Sequence, residues 1–432
     1  MEDEEMNLYD DIDDFTSDLV FEGSLLDSHT ESFRSKGSQK GKAANIDRGF
    51  QKGFDTIYAD YFADRPVFTE QSFERRYRMP RSLFNKLMND IVNHDSWFRQ
   101  KKDAVGKLGA HPLLKLTAAL RMLAYGVSAD AISEYTRLSE STVMESMKRF
   151  CKSVIELYEH EYLRSPTASE LKTIMETNAR LDWPGMLASL DCMHYTWTMC
   201  PKAWRGQYVG KDKVPTIILE AAVTPDLYCW HYNFGIAGSS NDLNVLSNSP
   251  LLYDILCGEF PQVEYKIFDV QRNLPYFLTD GIYPEFACFI QTVSEPPNPL
   301  WKHFAKSQEA RRKDVERFFG VLQSRWHIIS RPSRLWFQSD ISNVMKCCVI
   351  LHNMIVRIRE NEPQTSMDDV NMRVIEDYRR VGKWLVKVEN PAQDSFSFEQ
   401  YIAIKSQIKN NAENKRLRQE LAKYLWLNKG MI

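Results

Sequence analysis

Met186-Leu187-Ala188-Ser189-Leu190-Asp191 is the stretch on which the fold turns. Its apolar run is short and unbroken, so it reads as a buried strand that delivers a carboxylate at its end. Tyr276-Phe277-Leu278-Thr279-Asp280 repeats the pattern. Between the two, Thr216–Val223 reads as a second strand, Pro225-Asp226 as a turn and Leu227–Phe234 as a third strand in a hairpin. Gly235, Gly238 and Ser239-Ser240 end that strand, Asn241-Asp242 start a short helix, and a further helix follows Pro250. Tyr265–Phe268 reads as another short strand. Beyond the proline-bearing loop at 292–300, a long helix is predicted from about Lys306 to Ile328, and it carries Glu316.

Three strands with antiparallel connections, then a helix, another strand and a last helix predict the α/β class. The specific expectation is an RNase H-like mixed sheet with helices on both faces. Ligand sites in open sheets of this kind lie at the carboxyl ends of strands. Asp191 and Asp280 both close such runs, and 35 residues separate Asp280 from Glu316. Two strand-end aspartates and a helix-borne glutamate are the layout of a two-metal phosphodiester site. Such a site holds two divalent ions about 3.5–4 Å apart, one on each oxygen of an in-line displacement. Mg2+ or Mn2+ takes oxygen ligands and keeps several waters, so two or three carboxylates suffice. Asp191 is expected to bridge the ions, with Asp280 and Glu316 each completing one sphere. The chain's 58 acids contain many such triples by chance. The order strand, strand, helix is what carries the reading.

Arg311, Arg312, Lys313 and Arg317 surround Glu316. Arg312 precedes it by four residues and shares its face, which suits an intrahelical ion pair as well as a surface holding a DNA backbone. Asp314, the nearest rival acid, lies roughly 200° round the helix and cannot face the same site. His194 flanks the first aspartate, where a histidine is more often structural than functional. Trp204 suits packing better than stacking on a base, and Asn241-Asp242 suit a helix cap better than metal binding. Cys192 and His194 lack the second ligand pair that marks a zinc site.

The remaining chain divides by composition. Residues 1–54 form an acidic then basic tail, with twelve acids against Arg34 in the first 35 residues. Such a segment offers little apolar surface and is expected to be disordered, a solubilising tail or a docking segment for a partner. Residues 55–165 form a helical, helix-turn-helix-like region. Leu113, Leu116, Leu120 and Leu123 fall at helical spacing and Gly126 ends that helix. A short helix from Asp130 to Leu138 precedes a longer one capped by Ser139 or Ser141. That longer helix offers Lys148 and Arg149 to DNA, among acids that weaken the case. Arg75, Arg76, Arg78 and Arg81 cluster at Pro80, as a solvated face or a phosphate-contacting one. The catalytic domain is placed at 180–360, where Ile341–Ile358 reads as an apolar core helix. Residues 361–432 hold a polar linker and a charged helix at 398–428. No unbroken apolar run approaches about 18 residues, so no membrane span is expected. Eight cysteines without regular spacing suit a reducing compartment.

Longer motifs sharpen this reading. Ser189-Leu190-Asp191-Cys192-Met193-His194 with Cys200-Pro201-Lys202-Ala203-Trp204-Arg205-Gly206-Gln207-Tyr208 resembles the first catalytic block of PIF/Harbinger-type DDE transposases. Gly238, Asn241-Asp242, Asn244-Val245-Leu246 and Ser249-Pro250 resemble a second block. Thr279-Asp280-Gly281-Ile282-Tyr283-Pro284 resembles the second-aspartate block, and Lys313 to Gln323 the glutamate block. Leu351-His352-Asn353-Met354-Ile355 resembles the helix that follows. The resemblance spans about residues 70–360. It implies Asp191, Asp280 and Glu316 as catalytic residues and metal ligands, with DNA cleaved and joined at terminal inverted repeats. It further implies a nuclear protein, a Myb-like DNA-binding partner and at least a homodimer. Relatives retained by their hosts as DNA- or chromatin-associated binding proteins give the alternative.

Overall fold

Capped helices build the first half of the chain. The computed structural model describes residues 46–103, 106–211, 213–256, 262–361, 387–389 and 406–429. It places α1 at Phe50–Tyr61, α2 at Glu70–Tyr77, α3 at Arg81–His94, α4 at Pro112–Tyr125, α5 at Ala129–Thr136, α6 at Glu140–Tyr162 and α7 at Ala168–Arg180. Ser139 accepts from the Thr142 amide to start α6, and Gly126 ends α4 in the left-handed region at φ 60°. A Cβ on Gly126 would sit 2.7 Å from the His327 carbonyl oxygen. That close approach lets the amides of His327 and Ile328 donate to the carbonyls of Ala124 and Leu123. The acidic part of the tail and the linker at 362–386 lie outside the described residues.

The second half opens with β1 (Met186–Thr196), α8 (Arg205–Tyr208), β2 (Thr216–Val223) and β3 (Cys229–Ala237). It continues through α9 (Asp242–Ser247), α10 (Pro250–Leu256), β4 (Gln262–Ile267), β5 (Val270–Arg272), β6 (Tyr276–Thr279) and β7 (Phe289–Gln291). The chain closes with α11 (Pro299–Arg325), α12 (Gln338–Asn361), β8 (Lys387–Glu389) and α13 (Asn411–Asn428). Five strands form one mixed sheet in the order β3-β2-β1-β6-β7. β1 runs antiparallel to β2 and parallel to β6, β2 runs antiparallel to β3, and β6 runs parallel to β7. This is an α/β sheet whose order and directions are compatible with an RNase H-like fold. β4, β5 and β8 form a separate three-stranded sheet.

Several strand ends differ from the sequence reading: β3 starts at Cys229 and runs past Phe234 to Ala237, and β4 starts earlier, at Gln262. β1 does not stop at Asp191. It continues to Thr196, because residues 189–196 pair with β2 while pairing with β6 ends at Ser189. The apolar run marked only the fully buried part of β1, Met186 to Leu190. β7, three residues long, carries too little pattern to be read in advance.

The expected division between a helical region at 55–165 and a catalytic domain at 180–360 is not a gap in packing. Leu116, Leu120, Phe150 and Val154 from the helices share one buried cluster with Ile217, Leu219, Phe318 and Ile350. α12 is long and apolar enough to cross a membrane by length and composition. Ile341, Met345, Cys348, Leu351 and Ile355 on it are nevertheless buried in that shared core. α13 lays Leu417, Leu421 and Leu425 against Trp183, Met186 and Phe304.

Gln308 fixes α11 to the sheet. It is fully buried, and its Nε2 donates to the carbonyls of Thr279 (2.9 Å) on β6 and Ile290 (3.0 Å) on β7. The Ser189 hydroxyl on β1 donates to the Arg311 carbonyl at 3.2 Å. These bonds set the height at which Glu316 stands over the strand ends. Gln308→Ala is expected to cost about 2–4 kcal/mol, since two strand carbonyls lose their donor and a cavity opens. Denaturant unfolding with an unchanged m-value checks this; a loss under about 0.5 kcal/mol would mean the helix is held elsewhere.

Candidate functional site

Parallel pairing brings the two aspartates near one another. Ser189 lies opposite Leu278 in the parallel pair β1–β6. Two residues beyond that pair, where the β1–β6 ladder has ended, come Asp191 and Asp280, near enough for the Asp280 charge to act on Asp191. Ser189 and Asp191 fall on the same face of β1 by strand alternation, and that face meets α11. There Arg312 forms ion pairs with both Asp191 and Glu316, the second at 2.8 Å. Asp191 is mostly enclosed, whereas the Glu316 side chain is 46% exposed, so the site opens to solvent on the helix side. Asp280 is exposed just past the end of β6, its Oδ1 accepting from the Gly281 amide.

The structure adds an acid that the sequence reading set aside. Asn241 caps α9, accepting from the Asn244 amide at 2.8 Å, as expected. Asp242, the next residue, turns toward the same cluster. Burial raises the Asp191 carboxyl above its ordinary range; Arg312 opposes this, and the like charges of Asp242 and Asp280 add to it. Burial likewise raises Asp242, with His194 opposing and Asp280 adding. The signal that could have found it was the Gly238-to-Pro250 block, where Asp242 stands beside its capping neighbour. Behind the cluster, Glu220 is fully buried, pairs in register with Cys192 and contacts His231 Nε2 at 3.0 Å. His194 Nδ1 lies 2.9 Å from the Thr216 hydroxyl.

The expected DNA-facing bases stand differently. Arg311 and Arg317 both pair with buried Asp314, at 2.6 and 3.0 Å, which places that acid away from the site. Lys313 is exposed. Lys148 pairs with Asp340 at 2.6 Å, and Arg149 pairs with Asp95 at 3.2 Å and Glu145 at 2.5 Å. Both bases are thus engaged within the fold, on a helix whose other face is core. Trp204 is half-exposed with its ring 6.1 Å from that of buried Trp197.

Chemically, Asp191, Asp242, Asp280 and Glu316 are an all-oxygen donor set, which suits a hard divalent ion such as Mg2+ or Mn2+. Two of them, Asp191 and Asp242, hold their protons more tightly than usual chiefly because they are buried, with neighbouring negative charges adding to it, a condition a cation would relieve. Among the described residues no three acids, histidines or cysteines stand close enough together to hold a metal. Arg312 lies between Asp191 and Glu316 and supplies positive charge there. The donor type therefore suits the ion, while the acids are not gathered into a ligand cluster and the Arg312 guanidinium holds two of them.

Comparison with known proteins gives sequence relatives. Residues 160–365 match the family described as plant transposon protein. Residues 53–92 match a domain of unknown function, DUF8418. Protein ALP1-like of Arabidopsis thaliana is similar, 24% identical over 317 residues that cover 70% of this chain and 76% of that protein. No solved structure matches the chain. β1, β6 and Glu316 all lie inside residues 160–365.

The raised carboxyls give a pH signature. Asp191 and Asp242 bind protons more tightly folded than unfolded, so their ionisation costs stability as pH rises from the ordinary carboxylate range through their raised values. Asp280→Asn removes a like charge from both. It is expected to raise the melting midpoint of metal-free protein by roughly 1–3 °C near pH 7. The gain should shrink to nothing as pH falls below about 4. Thermal unfolding in EDTA across that range checks it; a gain independent of pH would refute the crowding.

Proposed function

We propose that this chain is a DDE-type endonuclease acting on DNA phosphodiester bonds on an RNase H-like sheet, with Asp191, Asp280 and Glu316 as its catalytic carboxylates. The observation that supports the reading is that Asp191 and Asp280 both follow the paired stretch of two neighbouring parallel strands, faced by a helix whose Arg312 ties Glu316 to Asp191. Mg2+ or Mn2+, as a pair, would supply activation of the attacking hydroxyl and stabilisation of the leaving oxygen. Asp191 would hold both ions, with Asp280 and Glu316 on either side and Asp242 as a further oxygen ligand. Gln308 and Ser189 keep the helix in register, so the acids meet a substrate already arranged. Arg312 orients Asp191 and Glu316 and offers a guanidinium to the phosphate beside them.

The same reading carries the rest of the family's pattern to this chain as part of the proposal. The substrate would be the terminal inverted repeats of a DNA element, cut and joined in the nucleus. Two ends would be paired by at least a homodimer, with a Myb-like DNA-binding protein as partner.

One observation favours a second reading, a transposase-derived DNA- or chromatin-associated protein without turnover. Arg312 neutralises Asp191 and Glu316 together, which is how a fold retains such acids without a metal. Supercoiled DNA carrying the gene's own genomic flanks separates the two. The nuclease is expected to nick it with Mg2+ or Mn2+ and not with EDTA. Asp191→Asn, Asp280→Asn and Glu316→Gln should each lower the rate on the order of 100-fold or more while leaving the circular dichroism unchanged. Nicking that survives all three changes would overturn the assignment. DNA binding without nicking, with the partner protein added, would establish the second reading.

A further inference from the structure

Away from the acids, three helix ends meet around a cleft of about 650 Å³ lined by Arg75, Arg78, Arg325 and Arg359, with Glu74 the one carboxylate among its lining residues. Arg75 and Arg78 close α2, Arg325 is the last residue of α11, and Arg359 stands in the last turn of α12. Nine residues separate Arg325 from Glu316, two and a half turns, so the two side chains leave α11 on opposite faces. The cleft is therefore distinct from the acid cluster.

Arg325 is held in place by a neutral group. Its Nη1 donates to Nδ1 of His352 at 3.1 Å, while Nε2 of the same ring donates to the Leu227 carbonyl at 2.9 Å. Both ring nitrogens are thus committed, and burial with the nearby Arg325 charge pushes the His352 pKa down to about 3. The imidazole stays uncharged and leaves the guanidinium charge uncancelled. Burial and Arg359 push Arg325 itself down to about 9. The Nε of Arg78 is buried without a hydrogen-bond partner. No ion pair joins Arg75, Arg78, Arg325 or Arg359 to a carboxylate among the described residues.

Arginines at helix C-termini ordinarily answer the helix dipole, which amounts to roughly half a charge per helix. Three such ends and Glu74 still leave the cleft positive. A partly enclosed guanidinium beside a second guanidinium, in a cleft where four arginines face the single carboxylate of Glu74, is costly unless a further anion completes it. Guanidinium groups match phosphate oxygens by paired hydrogen bonds, and a phosphate offers enough acceptors for several arginines at once, where a lone carboxylate does not.

We propose that this cleft is a phosphate-binding site, for either a free phosphorylated compound or the phosphodiester backbone of nucleic acid. The proposal stands whether or not the acid cluster cuts DNA. The test uses the full chain, with the exposed pair replaced as Arg75→Ala/Arg359→Ala so that the Arg325–His352 contact is left intact. Pyrophosphate, against chloride at equal ionic strength, is expected to raise the melting midpoint of the native chain, and the double variant should lose most of that shift. Asp280→Asn should keep the shift in full, which separates this site from the acids. In parallel, binding of a labelled duplex of about 30 base pairs is measured against salt. A tenfold or greater loss of affinity in the double variant, with the salt slope reduced by about one to two, assigns the site to the DNA backbone. An unchanged duplex affinity beside a lost pyrophosphate shift assigns it to a free phosphorylated compound. If the double variant folds like the native chain and neither pyrophosphate nor duplex binding depends on the two arginines, the proposal is wrong.

Discussion

Arg312 sits where the electrostatics of the molecule are decided. Its guanidinium reaches Asp191 on the central strand and Glu316 on its own helix. Around it Asp242 and Asp280 add negative charge that the fold does not otherwise cancel. A protein selected only for stability would not gather these acids at one sheet edge, because each ionised neighbour makes the next more costly. The arrangement makes sense if positive charge arrives from outside, with the arginine holding the place beside Asp191 until it does. That same contact joins strand to helix.

Placement of the acids depends on backbone register more than on side-chain packing. β1 and β6 run parallel and bring Asp191 near Asp280, while the antiparallel hairpin with β2 keeps β1 extended past the aspartate. Gln308 and Ser189 then lock α11 at a single height, by bonds to carbonyls on β6, β7 and α11 itself. The first-half helices are part of this support. α4 receives the loop after α11 at Gly126, and the shared core leaves no seam between the helices and the sheet. The arginine cleft occupies the far end of the same long helix.

Much of this was legible in the chain. Apolar runs ending in acids gave β6 and the covered half of β1, and Thr216–Val223 gave β2 to the residue. Ser139 and Gly126 announced helix ends that the structure places there. What escaped reading escaped for physical reasons. The outer half of β1 is mostly half-buried and mixed in sequence, so its apolar pattern fades while its hydrogen bonds to β2 continue. β7 is three residues long. Asp242 follows a true capping asparagine, and local capping chemistry hid a tertiary role. The bases around Glu316 looked like a surface for a polyanion, but Asp314 and Asp191 engage three of them within the fold. The arginines around Pro80 read as a solvated face or a phosphate-contacting one, and only the tertiary structure sets two of them beside Arg325 and Arg359 around one cleft.

The most direct test of the acid cluster is Mn2+ binding to the full chain, followed by electron paramagnetic resonance as free ion disappears. The account expects saturable binding by the native protein that is lost in the Asp191→Asn/Asp280→Asn double variant while its fold is retained. Binding of equal strength and stoichiometry in that variant would contradict it.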